Sequence, residues 1–426
     1  MYDWAISPLQ TTVMVAVFPI FYIQVAGAEA GGTKANQWWA VINGIAIATV
    51  AVLSPILGAI ADYAAAKKWM LGIWMAVGVT GCAAMFLIGP GDLFLASVLF
   101  VVAAIGGSAS VVFYDALLPH IAAEDEIDRV SAAAFAIGYF GGGVLLAINL
   151  AMIQKPQWFG LGAADTTLAV RLSMISVAVW WLLFSIPLFR RVPEPVRRLE
   201  ADEAIGQNPV RIAFQRLAET FHELRGYKQA FVMLVAFLIY NDGISTVQKM
   251  ATAYGTELGI RRESLIAAIL IVQFVGIPAT FLFGMLAGKI GPKRSILLAL
   301  LVYGGIAIFG YYMKTAAHFY VLATLAGLVQ GGAQALSRSL FATLIPTHKS
   351  GEFFGFYSVF SKFAGIFAPF MFAAIIGATG SSRNAILSVI VFFIAGGAIL
   401  MFVDVEAGRR AARAADEVTR AADSRS

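Results

Sequence analysis

The chain has 426 residues, of which 60% are hydrophobic and 13% charged, and its mean hydropathy is +0.80. An ordinary soluble domain carries about 25% charged residues, so there is too little polar surface here to coat a water-soluble particle of this length, and lipid is the solvent for most of it. The net charge of +5 does not point to nucleic acid, because Lys and Arg sit in turns beside apolar runs and form no basic face interleaved with aromatics.

Twelve stretches are long enough to cross a hydrocarbon core, which takes about 20 apolar residues each. They begin near Ala5, Trp38, Trp69, Leu93, Ser131, Leu168, Phe231, Leu265, Ser295, Phe319, Phe353 and Ala385. The turns between them are short, except for one polar segment that holds Pro193, Pro195 and an amphipathic stretch from Val210 to Leu224. The predicted organisation is an N-terminal six-helix bundle over 1–189, a cytoplasmic linker over 190–228, a C-terminal six-helix bundle over 229–404 and a cytoplasmic tail over 405–426. Lys67, Lys68, Arg190, Arg191, Lys293, Arg294, Arg409 and Arg410 all fall on one side of that plan, which sets both termini in the cytoplasm. No cleavable leader is recognisable before the first stretch, so that stretch is expected to stay as an anchor. The Arg- and Ala-rich tail after Asp404 has little to bury and reads as a frayed or surface helix. The one cysteine, Cys82, lies in an apolar run and excludes an intrachain disulfide.

Two phrases repeat between the halves. Gly58, Asp62, Lys67 and Lys68 mark the turn after the second stretch, and Gly284, Lys289, Gly291, Lys293 and Arg294 mark its counterpart 226 residues on. Glycine there lets helices approach closely, the basic pairs stay at the headgroups, and Asp62 can accept from a neighbouring helix N-terminus, so each turn reads as a gating latch. Gly106-Gly107 returns as Gly331-Gly332, and these pairs are expected to let the fourth and tenth helices flex.

With the twelve-stretch plan, the paired turns resemble the signature loop of the major facilitator superfamily. Tyr2-Asp3-Trp4, Phe113-Tyr114-Asp115, Tyr240-Asn241-Asp242-Gly243 and the run from Gly331 to Ser339 are similar to the branch related to the vacuolar amino-acid effluxer of autophagy. The resemblance implies an all-α membrane protein with twelve transmembrane helices in two pseudo-symmetric six-helix bundles. It implies a secondary transporter working by alternating access, with amino-acid efflux as one expectation and spans one, four, seven and ten lining the central path. The chain departs from the superfamily pattern at Tyr63, where a basic residue is usual, at Ala65, where glycine is usual, and at Gly288, where the second turn lacks the acid. Gly138, Tyr139, Gly142 and Gly143 resemble the antiporter glycine motif, with Tyr139 in place of its proline, and read as helix packing.

Ionisable residues inside spans carry the chemistry, because a charge in hydrocarbon costs a few kcal/mol or more. Asp242 falls roughly 20 Å into the seventh span at 1.5 Å per residue, too deep to snorkel. Asn241, Asp242 and Gly243 are poor helix formers in succession, which predicts a local break that exposes backbone to a cavity. A desolvated aspartate suits a site that takes and releases a proton. Gln330, Gln334 and Arg338 recur every four residues as one polar stripe, with Arg338 as the expected counter-charge, and Lys362 could complete the network. These deep charges occur only in the second half, so the first half is expected to supply shape, through Tyr114 among others.

No metalloprotease, nucleophile-elbow or phosphate-loop motif is present in the sequence, so no enzyme activity, metal or cofactor is expected, and His120 and His348 read as solvated loop histidines. The expected partners are a small-molecule substrate, protons as coupling ion and the lipid bilayer, with the protein a monomer in the plasma (inner) membrane. A drug or lipid exporter of the same fold and a non-transporting membrane sensor stay open beside the metabolite transporter.

Overall fold

The computed structural model describes residues 1–30, 32–162, 166–195, 226–258, 260, 262–364, 367–379 and 381–423. The described residues are all-helical: α1 (Tyr2–Ala26), α2 (Gly32–Ala64), α3 (Lys67–Ala84), α4 (Leu93–Ile121), α5 (Ile127–Gln154), α6 (Thr166–Arg191), α7 (Lys228–Glu257), α8 (Arg262–Ile290), α9 (Pro292–Tyr311), α10 (Ala316–Thr343), α11 (Ser350–Phe363), α12 (Phe367–Thr379), α13 (Ser382–Met401) and α14 (Val405–Asp423). Eleven of these helices are long and apolar enough to cross a membrane. The stretch predicted to begin near Phe353 is instead two shorter helices, α11 and α12, with Ala364 extended (ψ 131°) after the first. The sequence supplies a reason in Pro369, which has no N–H with which to continue a helical hydrogen-bond ladder. The amphipathic stretch from Val210 to Leu224 and most of the linker lie outside the described residues.

Packing groups the chain into two compact units, Met1–Ser54 with Ala66–Tyr114 and Ile137–Pro195, and Pro55–Ala65 with Asp115–Ala136 and Val196–Ser426. Both keep large apolar side chains on their outer faces, such as Phe94 and Leu301, as lipid-facing helices do.

In the first unit, α1 widens into π-helical turns, with Val17 N donating to Thr12 O (2.9 Å) and Gly27 N to Tyr22 O (2.8 Å). Small residues set the helix spacing. A Cβ on Gly141 would fall 2.6 Å from the Trp4 carbonyl, and Gly142 abuts Ser7 and Thr11, whose hydroxyl donates to Gly142 O (3.1 Å). The α5 glycines therefore serve close contact with α1. Gly106 lies against Gly78, with 2.6 Å from its would-be Cβ to the Gly78 Cα. α4 runs unbroken through Gly106-Gly107, so that pair brings backbones together, and the expected flexing point is not seen.

In the second unit the core joins Met233, Phe237 and Tyr240 of α7 to Leu336 and Phe341 of α10 and Phe353 of α11. Ala116, Leu118 and Ile127, from the end of α4 and the start of α5, belong to the same core. α7 is continuous across Asn241, Asp242 and Gly243, contrary to the break expected there. The glycine is spent on packing: a Cβ on Gly243 would meet Phe393 at 2.8 Å, and Gly396 of α13 seats directly on the Tyr240 backbone. α10 likewise runs straight through Gly331-Gly332, with Gly332 under the Phe283 ring. The segment after Asp404 is an ordered helix rather than a frayed one, with Gly408 and Ala412 buried on its inner face.

Candidate functional site

The polar centre of the second unit is built on Arg338. Four residues from Gln334 and eight from Gln330 along one face of α10, it is 4% exposed. Its Nη1 donates to Asp115 Oδ1 at 3.0 Å, its Nε to Ser131 Oγ at 3.0 Å and its Nη2 to the Ser131 carbonyl at 3.2 Å. The guanidinium also lies over the Phe135 ring, 4.5 Å from its centroid. Ser131 Oγ donates in turn to Ala335 O (2.7 Å), and one helical turn away Ser339 Oγ donates to Asp128. A guanidinium taken out of water keeps its charge only with a carboxylate and further acceptors around it, and this ring of groups supplies them. Arg338 makes an ion pair with Asp115, a residue outside the predicted site.

Asp62, at the end of α2, accepts a hydrogen bond through Oδ2 from the Glu352 backbone N–H at 2.8 Å. Glu352 is in the first turn of α11, so the carboxylate caps that helix and meets the positive end of its dipole. The approach requires glycine on both sides. A Cβ on Gly58 would lie 2.7 Å from the Gly351 carbonyl carbon, and one on Gly351 would lie 2.8 Å from both Asp62 carboxylate oxygens. Ala65, which follows, has φ +47°, the left-handed conformation for which the missing glycine is suited.

The remaining turn residues divide. Lys67 is buried, and Lys68 Nζ donates to Val192 O (2.8 Å) while its backbone N–H donates to Glu194 (2.9 Å). Gly284 packs on Ala132 at the start of α5 (2.6 Å from a would-be Cβ). Gly291 has φ +85° and begins α9. Lys293 Nζ donates to Met401 O and Val403 O, both 2.7 Å, and so caps the end of α13. Lys289 and Arg294 are exposed.

Asp242 is 1% exposed and Asn241 6% exposed, both on α7. The preceding Tyr240 shares a 2.6 Å hydrogen bond with Ser337, next to Arg338. Tyr357 of α11 stacks between Phe237 and Phe341, with centroids at 4.5 and 5.2 Å. Lys362 is half-buried in the last turn of α11. Tyr114 belongs to the first unit, where its hydroxyl donates to Asp3 Oδ2 at 2.6 Å and its ring meets Tyr2. His120 and His348, expected to be solvated, are both bonded, His120 to Ser350 (3.2 Å) and His348 to Asp416 (3.0 Å). No cluster with metal-ligand composition occurs among the described residues.

The site thus uses Asp115, Asp128, Ser131 and Ser339, which the sequence reading passed over. Asp115 was legible, as a carboxylate inside a span and inside a quoted motif. Ser131 and Ser339 are unremarkable in sequence, and only their position shows what they do.

A bundle of spanning helices with charged groups buried between them defines a multi-pass integral membrane protein of the major facilitator fold. Among solved structures, the proton:xylose symporter XylE superposes with a TM-score of 0.70 at 14% identity, covering 95% of this chain and 94% of that one. The family model described as "Vacuole effluxer Atg22 like" matches residues 33–128 and 124–413, and the chain belongs to that family. A Bacillus subtilis protein described as the uncharacterized MFS-type transporter YxiO is 37% identical over 408 residues, 95% of this chain and 94% of its own length. Autophagy-related protein 22 of Yarrowia lipolytica is 26% identical over 310 residues, 67% of this chain, and the match spans about half (51%) of the fungal protein. The chain is a major facilitator superfamily transporter related to Atg22.

Proposed function

We propose that this transporter is a proton-coupled exporter of a small polar metabolite, with amino acids the first class to test, and that it has no enzymatic activity. The observation that carries the reading is a fully buried acid, Asp242, on a helix that packs beside a second buried charge, Arg338. A buried ionisable group is costly and is kept for use, and the polar residues near Asp242 on α7 and along the Arg338 face of α10 favour a polar cargo over an apolar one. In this reading Asp242 carries the proton. Gln330, Gln334, Asn241 and Lys362 present polar contacts to the cargo. The Arg338–Asp115 pair and the Asp62 cap form the gate on the basic-turn side, which faces the cytoplasm of a cell with the protein in its plasma membrane. Opening that side separates Asp115, Ser131 and Asp62 from α10 and α11, and closing it remakes those bonds. The protein works as a monomer, in two bundles bounded at 189 and 229.

The test is flux into proteoliposomes of labelled amino acids, sugars and amphiphiles, with and without an imposed pH gradient. Gradient-dependent movement of one or more amino acids is expected. Movement of amphiphiles alone, or binding with no movement, would replace this reading by a drug exporter or a sensor.

A further inference from the structure

The helix after the last span makes contacts that the gate does not account for. Asp416 of α14 accepts from the Thr347 backbone N–H through both carboxylate oxygens (3.0 and 3.1 Å), from Thr347 Oγ1 (2.7 Å) and from His348 Nδ1 (3.0 Å). Thr347 and His348 form the turn between α10, which bears Arg338, and α11, which Asp62 caps. On the same face of α14, one and two turns earlier, Arg413 reaches Glu124 at 2.6 Å and Arg409 reaches it at 3.5 Å. Glu124 stands in the turn between α4 and α5, in the acidic run Glu124-Asp125-Glu126 that leads to Asp128, and the Arg409 charge also acts on Asp128. At the base of the helix, Gln229 accepts from the Asp404 N–H at 2.8 Å.

This helix therefore ties one turn from the first half of the sequence to one from the second half, on the side where the gate residues meet. Among the described residues it does so with little apolar anchorage. Val405 packs on the core at the base of the helix, and the buried face beyond it offers Gly408, flush against Leu344 and Gln229, and Ala412, while Val418 is 72% exposed. Small side chains at the contact give the hydrogen bonds and ion pairs most of the docking energy, and such contacts exchange readily with water. A helix fixed for stability alone would bury a broad apolar stripe; one that must release would not.

We propose that α14 is an intramolecular strap: docked, it holds the α4–α5 turn to the α10–α11 turn and keeps the Arg338–Asp115 gate shut, and opening requires it to let go of one of them. The strap needs only the transporter fold and is independent of cargo and coupling ion, so a failed substrate panel leaves it standing.

The test is the distribution of distances between spin labels in the full-length protein in nanodiscs. Labels at Ala123→Cys and Lys289→Cys occupy exposed positions, whereas the native Cys82 is buried. Asp416→Ala removes several hydrogen bonds, each worth roughly a factor of five, and should raise the open-to-closed ratio at least about tenfold. Glu124→Arg should also raise it, and adding Arg409→Glu and Arg413→Glu should bring it back to within about twofold of the starting protein. The exchange reverses all three charges and so keeps opposite signs facing each other, which distinguishes a strap from a general loss of stability. An unchanged ratio in Asp416→Ala, or a charge exchange that fails to restore the ratio, would overturn the proposal.

Discussion

Substituting Asp115→Asn probes the gate at its most demanding point. The Asp115 and Arg338 side chains are 11% and 5% exposed and their charged atoms are 3.0 Å apart, so neither charge has bulk water to fall back on. Removing one partner of a buried pair costs about 3–5 kcal/mol, most of it the penalty of a charge left uncompensated. The low end applies here, since Arg338 keeps both Ser131 contacts and the Phe135 ring. At about 3 kcal/mol against the closed arrangement, the open-to-closed ratio rises roughly 100-fold, because hydration of Arg338 in the open form escapes that cost. The same label pair reads the shift, and a double-mutant cycle with Arg338→Met isolates the pairwise energy. A coupling energy below about 0.5 kcal/mol, with an unshifted distance distribution, would refute the reasoning.

Ala65→Gly should stabilise the protein by about 1 kcal/mol, since a non-glycine residue at φ +47° is strained, and thermal unfolding in detergent measures it. Gly58→Ala places a methyl on the Gly351 carbonyl; overpacking costs about 1–3 kcal/mol, and distance measurements should show the closed population falling. Burial raises the Asp416 carboxyl, but the hydrogen bonds from His348 and Thr347 and the His348 charge outweigh it and bring it down to about 2. Because that value lies below its unfolded one, the Asp416 contribution to docking is complete above about pH 4 and is lost as pH falls toward 2. A pH titration of α14 docking should show that acid limb, and Asp416→Asn should lack it.

The spans were readable because lipid imposes a length and an apolarity that no soluble core requires, and eleven of the twelve predicted stretches are single helices. The eleventh stretch was misread as continuous, although Pro369 was visible and its missing N–H gave a reason for a break. The opposite error occurred at Asn241-Asp242-Gly243 and at the two Gly-Gly pairs. Helix propensity and glycine content suggested breaks, but tertiary packing against Phe393, Gly396, Gly78 and Phe283 decided the outcome. For the site, the burial of Asp242 and Arg338 was legible from their place inside apolar stretches. The pairing of Arg338 with Asp115 was not, because Asp115 lies 223 residues away and only topology brings it within 3.0 Å. His348 and the tail show the same limit. A loop histidine and an Arg-rich terminus look solvated in sequence, and only the fold reveals that they meet through Asp416.

The central claim is that a buried acid couples cargo to protons, and gradient-driven uptake by Asp242→Asn tests it most directly. With the cargo identified by the flux panel, the account predicts that this variant still exchanges labelled for unlabelled cargo across the membrane. Its uphill accumulation under a pH gradient should fall at least about tenfold, because the neutral amide cannot take up and release a proton. Accumulation equal to that of the unsubstituted protein, with the same response to a protonophore, would contradict it.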